Sequence, residues 1–152
     1  MPFEGQMFDG EYSMNVSMNI ADKDTLYSEI YRVLRPGAWL VLSEIARGSG
    51  PELEYPTPWA STAASSFLAT PEDTRMKLEA HGFEITSLSD ATERTLDFGR
   101  RSRAAVERGE KPLQRAVQLI HGDLAPVATA NSARGVSEGI VIPIEVHCSK
   151  PK

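Results

Sequence analysis

The chain has 152 residues, of which 41% are hydrophobic and 24% charged, with a formal net charge of -5 and a pI near 5.2. These values fit one globular domain with its own core and exclude a disordered chain. The acidic balance argues against a nucleic-acid partner, which asks for a basic face.

No apolar run reaches the roughly 18 residues that a membrane helix needs. The start lacks the basic and apolar regions of a signal peptide. Cys148 is the single cysteine, so no internal disulfide forms and a reducing cytoplasm is expected. His81, His121 and His147 lie far apart, and no spacing resembles a zinc site, so no metal is expected.

The pattern predicts a first strand over Phe8 to Met14, then a polar stretch, SMNVSMNIAD. Asp22 fits a helix N-cap. The helix after it shows a stripe of Leu26, Ile30, Val33 and Leu34. Arg35, Pro36 and Gly37 read as its stop. Trp39 to Ile45 is short and almost continuously apolar, which predicts a strand covered on both faces. Strand, helix and strand with short joins make a βαβ unit.

Arg47 to Trp59 is rich in glycine and proline and reads as a loop. ASTAASSFLA after it fits a short helix. Thr70, Pro71, Glu72 and Asp73 form a helix start, with the acids at the positive end. That helix runs to about His81, and Gly82 suits a left-handed stop. Phe83 to Asp90 alternates as a strand with one more exposed face. Helices are expected over Ala91 to Arg108, Leu113 to His121, and about Leu124 to Arg134. The last strand, IVIPIEVHC, places Ile140, Ile142, Ile144, Val146 and Cys148 on one face. Pro143 within it lacks an N–H and suits an edge or a bulge.

Several features have ordinary explanations. Gly48-Ser49-Gly50 follows a strand but lacks a third glycine and a helix start, so it reads as a turn and not a dinucleotide loop. Arg100, Arg101 and Arg103 sit near Glu107 and Glu110 and read as a solvated helix face. Asp9 and Glu11 are close in sequence. Asp9-Gly10-Glu11 on a strand is not read as a catalytic pair.

The informative constellation is positional. In open parallel sheets, ligands bind beyond the carboxyl ends of the strands. One such end carries Ser13, Met14, Asn15, Ser17 and Asn19, and the other carries Ser43 and Glu44. Tyr55 and Trp59 follow and suit the wall of an apolar pocket. Asn15 and Asn19 also fit as turn residues that satisfy backbone groups. His121, which ends an apolar helix, fits a capping or packing role and is also a candidate substrate contact.

The motifs Pro2-Phe3, Phe8-Asp9, Ser13-Met14-Asn15, Glu29-Ile30-Tyr31-Arg32-Val33-Leu34-Arg35-Pro36-Gly37 and Leu40-Val41-Leu42-Ser43-Glu44, with Gly82-Phe83, resemble class I S-adenosylmethionine-dependent methyltransferases. The similar branch includes ubiquinone/menaquinone-biosynthesis C-methyltransferases and small-amine N-methyltransferases. The likeness covers about Pro2 to Asp90 and extends more loosely to the last strand.

The resemblance implies an α/β fold, a partial Rossmann-like sheet. Phe8–Met14 would be the family's fourth strand, Trp39–Ile45 the fifth and Phe83–Asp90 the sixth. Ile140–Cys148 would be the seventh, antiparallel and inserted between fifth and sixth. Residues 1–90 would form the core, 91–138 a helical cap, and 139–152 the final strand and tail. The glycine-rich turn and the ribose-binding acid of the family's first strands have no counterpart, so the chain is expected to be the C-terminal half, without the cofactor-binding half.

Under that likeness, S-adenosylmethionine is the cofactor, touched by Ser13 and Met14. Asn15, Asn19, Tyr55, Trp59 and His121 would bind a small organic acceptor, and Glu44 would take a proton or orient the acceptor. A homodimer or a partner chain at the Phe8–Met14 edge is expected. The alternative is a non-catalytic interaction module or a gene remnant assembling through that open edge.

Overall fold

The computed structural model describes residues 1–110 and 116–152. Four strands form one sheet: β1 (Phe8–Met14), β2 (Leu34–Arg47), β3 (Glu84–Asp90) and β4 (Val141–Ser149). Their order is β1-β2-β4-β3. β1 and β2 run parallel, and β4 lies antiparallel between β2 and β3. This is the order and direction that the resemblance implied.

Helices α1 (Lys23–Val33) and α2 (Pro71–Ala80) cover one face of the sheet. Both starts follow from local chemistry. The Asp22 side chain accepts from the Thr25 amide. Thr70 and Asp73 form a reciprocal capping box, with Pro71 in the first turn. Tyr27 and Ile30 of α1 and Leu78 of α2 pack on Leu40, Leu42, Ile144, Val146 and Cys148. Burial pushes the Cys148 thiol up to about 12.

On the other face lie α3 (Thr92–Glu107) and α5 (Ala125–Ser137), with the short α4 (Ala116–His121) beside α5. A second core joins Leu53, Val136, Ile140 and Val141, with Tyr55, Trp59 and Leu96 at its margin.

Four expectations need correction. The Arg35-Pro36-Gly37 segment does not form a turn outside the sheet. α1 ends at Val33 and β2 begins at Leu34. Phe8 pairs with Leu34 and Gly10 with Trp39, so the extra residues of β2 bulge, where a proline costs no ladder bond. ASTAASSFLA forms only one 3-10 turn, Ala63–Ser65. β2 is not covered on both faces: even-numbered residues from Ala38 to Ala46 are buried, but Trp39 is 51% exposed. Ile140 precedes β4 and joins the second core, not the face of Ile144. The expected helix from Leu113 lies partly outside the described residues, and its described part is α4.

Pro143 is central, yet it disrupts nothing. Its carbonyl accepts from the Ala91 amide at 2.8 Å, just beyond the end of β3. In an antiparallel pair the N–H and C=O of one residue point to the same side. The missing N–H of Pro143 therefore faces the end of β3, and the pairing with β2 loses no bond. Gly48 and Gly50 are close-packing residues: a Cβ on Gly48 would lie 2.1 Å from the Gly139 carbonyl oxygen.

Candidate functional site

The carboxyl ends of β1 and β2 open onto a cavity of about 360 Å³. Asn15 and Ser43 stand at its polar side, with Ile45, Phe98 and Pro143 as apolar wall and Arg94 at the mouth. Asn15 holds φ +55 while its amide donates to the Ser43 carbonyl at 2.7 Å. Asparagine tolerates this left-handed conformation better than most residues. It turns the chain sharply from β1 into the 3-10 turn Ser17–Asn19.

That turn is held from beneath by two buried charges. The Glu44 carboxylate is 4% exposed and accepts from the amides of Val16 at 3.3 Å, Ser17 at 3.1 Å and Met18 at 3.4 Å. At the other end, Lys23 Nζ donates to the carbonyls of Ser17 at 2.7 Å and Ile20 at 3.0 Å. The anion sits at the N–H end of the turn and the cation at the C=O end, which complements its dipole. Burial lowers the Lys23 ammonium, and the charge of Glu44 opposes that shift. Tyr27 lies in the same buried region. Among the described residues its hydroxyl has no hydrogen-bond partner, and burial pushes it up to about 12.

The residues singled out from sequence separate into two groups. Asn15 and Glu44 line the cavity, with both carboxylate oxygens of Glu44 committed to backbone amides. Asn19, Tyr55, Trp59 and His121 build the adjoining framework. Asn19 Nδ2 donates to the Trp59 carbonyl at 2.6 Å, and Trp59 Nε1 donates to Ser66 Oγ at 3.1 Å. His121 Nε2 donates to the Pro58 carbonyl at 3.1 Å, tying α4 to the loop. Asn131 does the same for α5, donating to the Pro56 carbonyl at 3.0 Å. Ser13 is buried and, in register with Leu42, faces the helices α1 and α2. Met14 faces the other way and is exposed.

Sequence reading passed over Arg94, Phe98 and Lys23. Lys23 carried a signal: a cation in the first turn of a helix opposes the dipole, so it needs another reason to be there. Arg94 and Phe98 gave none. They are spaced as one helix face, and only the packing of α3 brings that face to the strand ends.

S-adenosylmethionine, the cofactor that the resemblance implies, carries ribose hydroxyls that a complete site has to hold. Among the described residues at the ends of β1 and β2, the one cavity-lining carboxylate is Glu44, and its oxygens already hold amides. No free carboxylate there can take ribose hydroxyls, the usual role of an acid in nucleotide-binding sheets.

Residues 1–42 match the family model described as a methyltransferase domain. The chain is 43% identical over 44 residues to 24-methylenesterol C-methyltransferase 2 of Arabidopsis thaliana, covering 29% of this chain and 12% of that one. It is 27% identical over 99 residues to O-methyltransferase cnsE of Penicillium expansum, covering 61% and 34%. Among solved structures, Haemonchus contortus phosphoethanolamine N-methyltransferase 2, in complex with S-adenosyl-L-methionine, superposes with TM-score 0.75 and 21% identity over 99% of this chain and 35% of that one. The fold is thus part of the class I S-adenosylmethionine-dependent methyltransferase fold. The chain spans no more than about a third of the length of these relatives.

Proposed function

We propose that this chain forms the acceptor side of an S-adenosylmethionine-dependent methyl transfer to a small organic molecule. The observation that carries the reading is the cavity at the carboxyl ends of two parallel strands, with Asn15 in a left-handed turn at its edge. Asn15 and Ser43 orient the acceptor's polar group, and Ile45 and Phe98 pack its apolar body. Glu44 and Lys23 act as positioning residues that fix the turn carrying Ser17–Asn19. In methyl transfer the protein's share is chiefly placement and exclusion of water, which suits a rigid turn beside an apolar wall. Met14 is the residue proposed to meet the cofactor.

The experiment is calorimetry of the whole chain with S-adenosylmethionine and then S-adenosylhomocysteine. Saturable binding that Met14→Asp or Asn15→Ala abolishes supports the reading. Absence of binding to either ligand removes catalysis by this chain on its own. A second reading, a non-catalytic interaction module, is favoured by the position of β1 at the end of the sheet among the described residues.

A further inference from the structure

α3 brings one helix face to the cavity. Ala91, Arg94, Thr95 and Phe98 all line it, at the i, i+3, i+4 and i+7 spacing of a single stripe. The start of this helix is pinned. The Ala91 amide donates to the Pro143 carbonyl at 2.8 Å, and the Asp90 side chain accepts from the Thr92 amide at 2.7 Å. The backbone that carries Arg94 is therefore fixed independently of its side-chain partner.

Glu145 is that partner. It pairs with Ser43 across β2 and β4, so the two side chains share a sheet face. Arg94 Nη2 donates to Glu145 Oε2 at 3.2 Å, and His147 Nε2 donates to Glu145 Oε1 at 2.8 Å. His147, and Arg94 after it, hold the Glu145 carboxyl below its ordinary value. Glu145 is thus an anion at neutral pH with both oxygens engaged. The guanidinium is not used up. It carries five N–H donors in a planar fork, and this pair takes one of them. The Arg94 side chain is 68% exposed, and ion pairs so exposed hold weakly. A second anion can share the fork at little cost.

The rest of the lining decides the sign of the ligand. Its carboxylate, Glu44, is buried, and its oxygens hold the amides of Val16, Ser17 and Met18. Among the described residues, no uncommitted acid lines the cavity to receive a cation. A cation at the mouth would also meet Arg94 as a like charge. Asn15, Ser43 and Thr95 add neutral donors. The volume, about 360 Å³, suits a small molecule.

We propose that the acceptor taken by this cavity is a small organic acid, with its oxyanion, a carboxylate or phosphate, held at the mouth by the Arg94 fork beside Thr95 and its apolar body against Phe98. The proposal rests on reading the cavity as an acceptor site and names the class of molecule that enters it. The oxyanion is a handle and not the atom that receives the methyl group, because a guanidinium donating to a nucleophilic oxygen would occupy the lone pairs that the transfer needs. Arg94 is the specificity-determining residue, and Glu145 positions its fork.

The experiment is a nuclear magnetic resonance titration of the full chain, without S-adenosylmethionine, by four probes that share a phenyl ring: benzoate, phenyl phosphate, benzamide and benzylamine. Shifts at Asn15, Thr95 and Arg94 Nε locate the site. The tighter of benzoate and phenyl phosphate tells carboxylate from phosphate, and it is expected to bind about tenfold or more tightly than benzamide, as a charged acceptor exceeds a neutral one. Benzylamine is expected not to bind. Arg94→Gln is expected to bring that anion and benzamide to equal affinity. Glu145→Gln is expected to tighten the anion, because a competing carboxylate is removed. Raising the salt to about 0.5 M should shrink the anion's advantage. Equal binding of benzamide and both anions by the unmodified chain refutes the oxyanion while leaving the cavity as an acceptor site. Binding of benzylamine at the same residues, an anion preference that survives Arg94→Gln, or no binding by any probe overturns the proposal. Failure of the chain to bind S-adenosylmethionine in calorimetry is a separate result: it removes methyl transfer by this chain alone, and the charge preference of the cavity is still read from these probes.

Discussion

Replacing Glu44 with alanine removes the acceptor that three backbone amides share, at 3.1 to 3.4 Å. These bonds are long, so each is assigned about 1 kcal/mol, the value of an ordinary hydrogen bond and below the range for a charged acceptor. Their loss leaves buried donors unpaired and gives a total of about 3 kcal/mol. For a chain of this size that corresponds to a fall of roughly 6 to 12 °C in Tm. Glu44→Gln keeps one acceptor oxygen and presents an NH2 to an amide, so about half the loss is expected. Lys23→Met alone should cost about 1–2 kcal/mol. Because both side chains grip one turn, the double variant Lys23→Met/Glu44→Ala should lose less than the two singles added together. The assay is urea unfolding followed by tryptophan fluorescence, with amide exchange at Val16 to Met18 as the local readout. A change below about 0.5 kcal/mol in Glu44→Ala, the range of an ordinary surface substitution, refutes the clamp.

Gly82 holds φ +93, and a Cβ there would lie 3.1 Å from the Tyr31 ring, so Gly82→Ala should destabilise by about 1–3 kcal/mol in the same unfolding assay. Burial raises the Glu11 carboxyl above its ordinary value of 4.5, so the folded state holds that proton more tightly than the unfolded state does. The resulting stability is present at low pH and is lost as the pH rises through the raised value. Glu11→Gln should therefore be the more stable chain at neutral pH, by under about 1 kcal/mol given partial solvent screening. Unfolding curves on either side of pH 4.5 check that the advantage fades on acidification. Cys148 is buried with its thiol pushed up to about 12. Its reaction with a disulfide reagent should follow the opening of the fold and accelerate with urea, whereas fast native reaction would place the thiol at the surface.

Much of the fold was legible along the chain because it rests on local chemistry. Asp22, Thr70 with Asp73, and Gly82 announce helix ends through their own side chains or their lack of one. The apolar run after Pro36 announces a strand. The motifs around Phe8–Asp9 and Arg32–Gly37 announced the sheet order that the structure has, with β4 inserted antiparallel. The positional rule for parallel strands located the cavity at Asn15 and Glu44.

What the sequence could not decide depended on neighbours distant in the chain. Whether Arg35-Pro36-Gly37 ends a helix or bulges within a strand depends on β1 arriving beside it. Whether Trp39 is core or surface depends on what covers that half of the sheet, and α3 and α5 reach only the other end. Pro143 is harmless because β3 stops one residue short of needing its N–H. Glu44 read as a free carboxylate at a strand end, and packing delivered three amides and a lysine to the turn above it. A residue's type and spacing settle the backbone it prefers. Only the packed chain settles which groups that backbone meets.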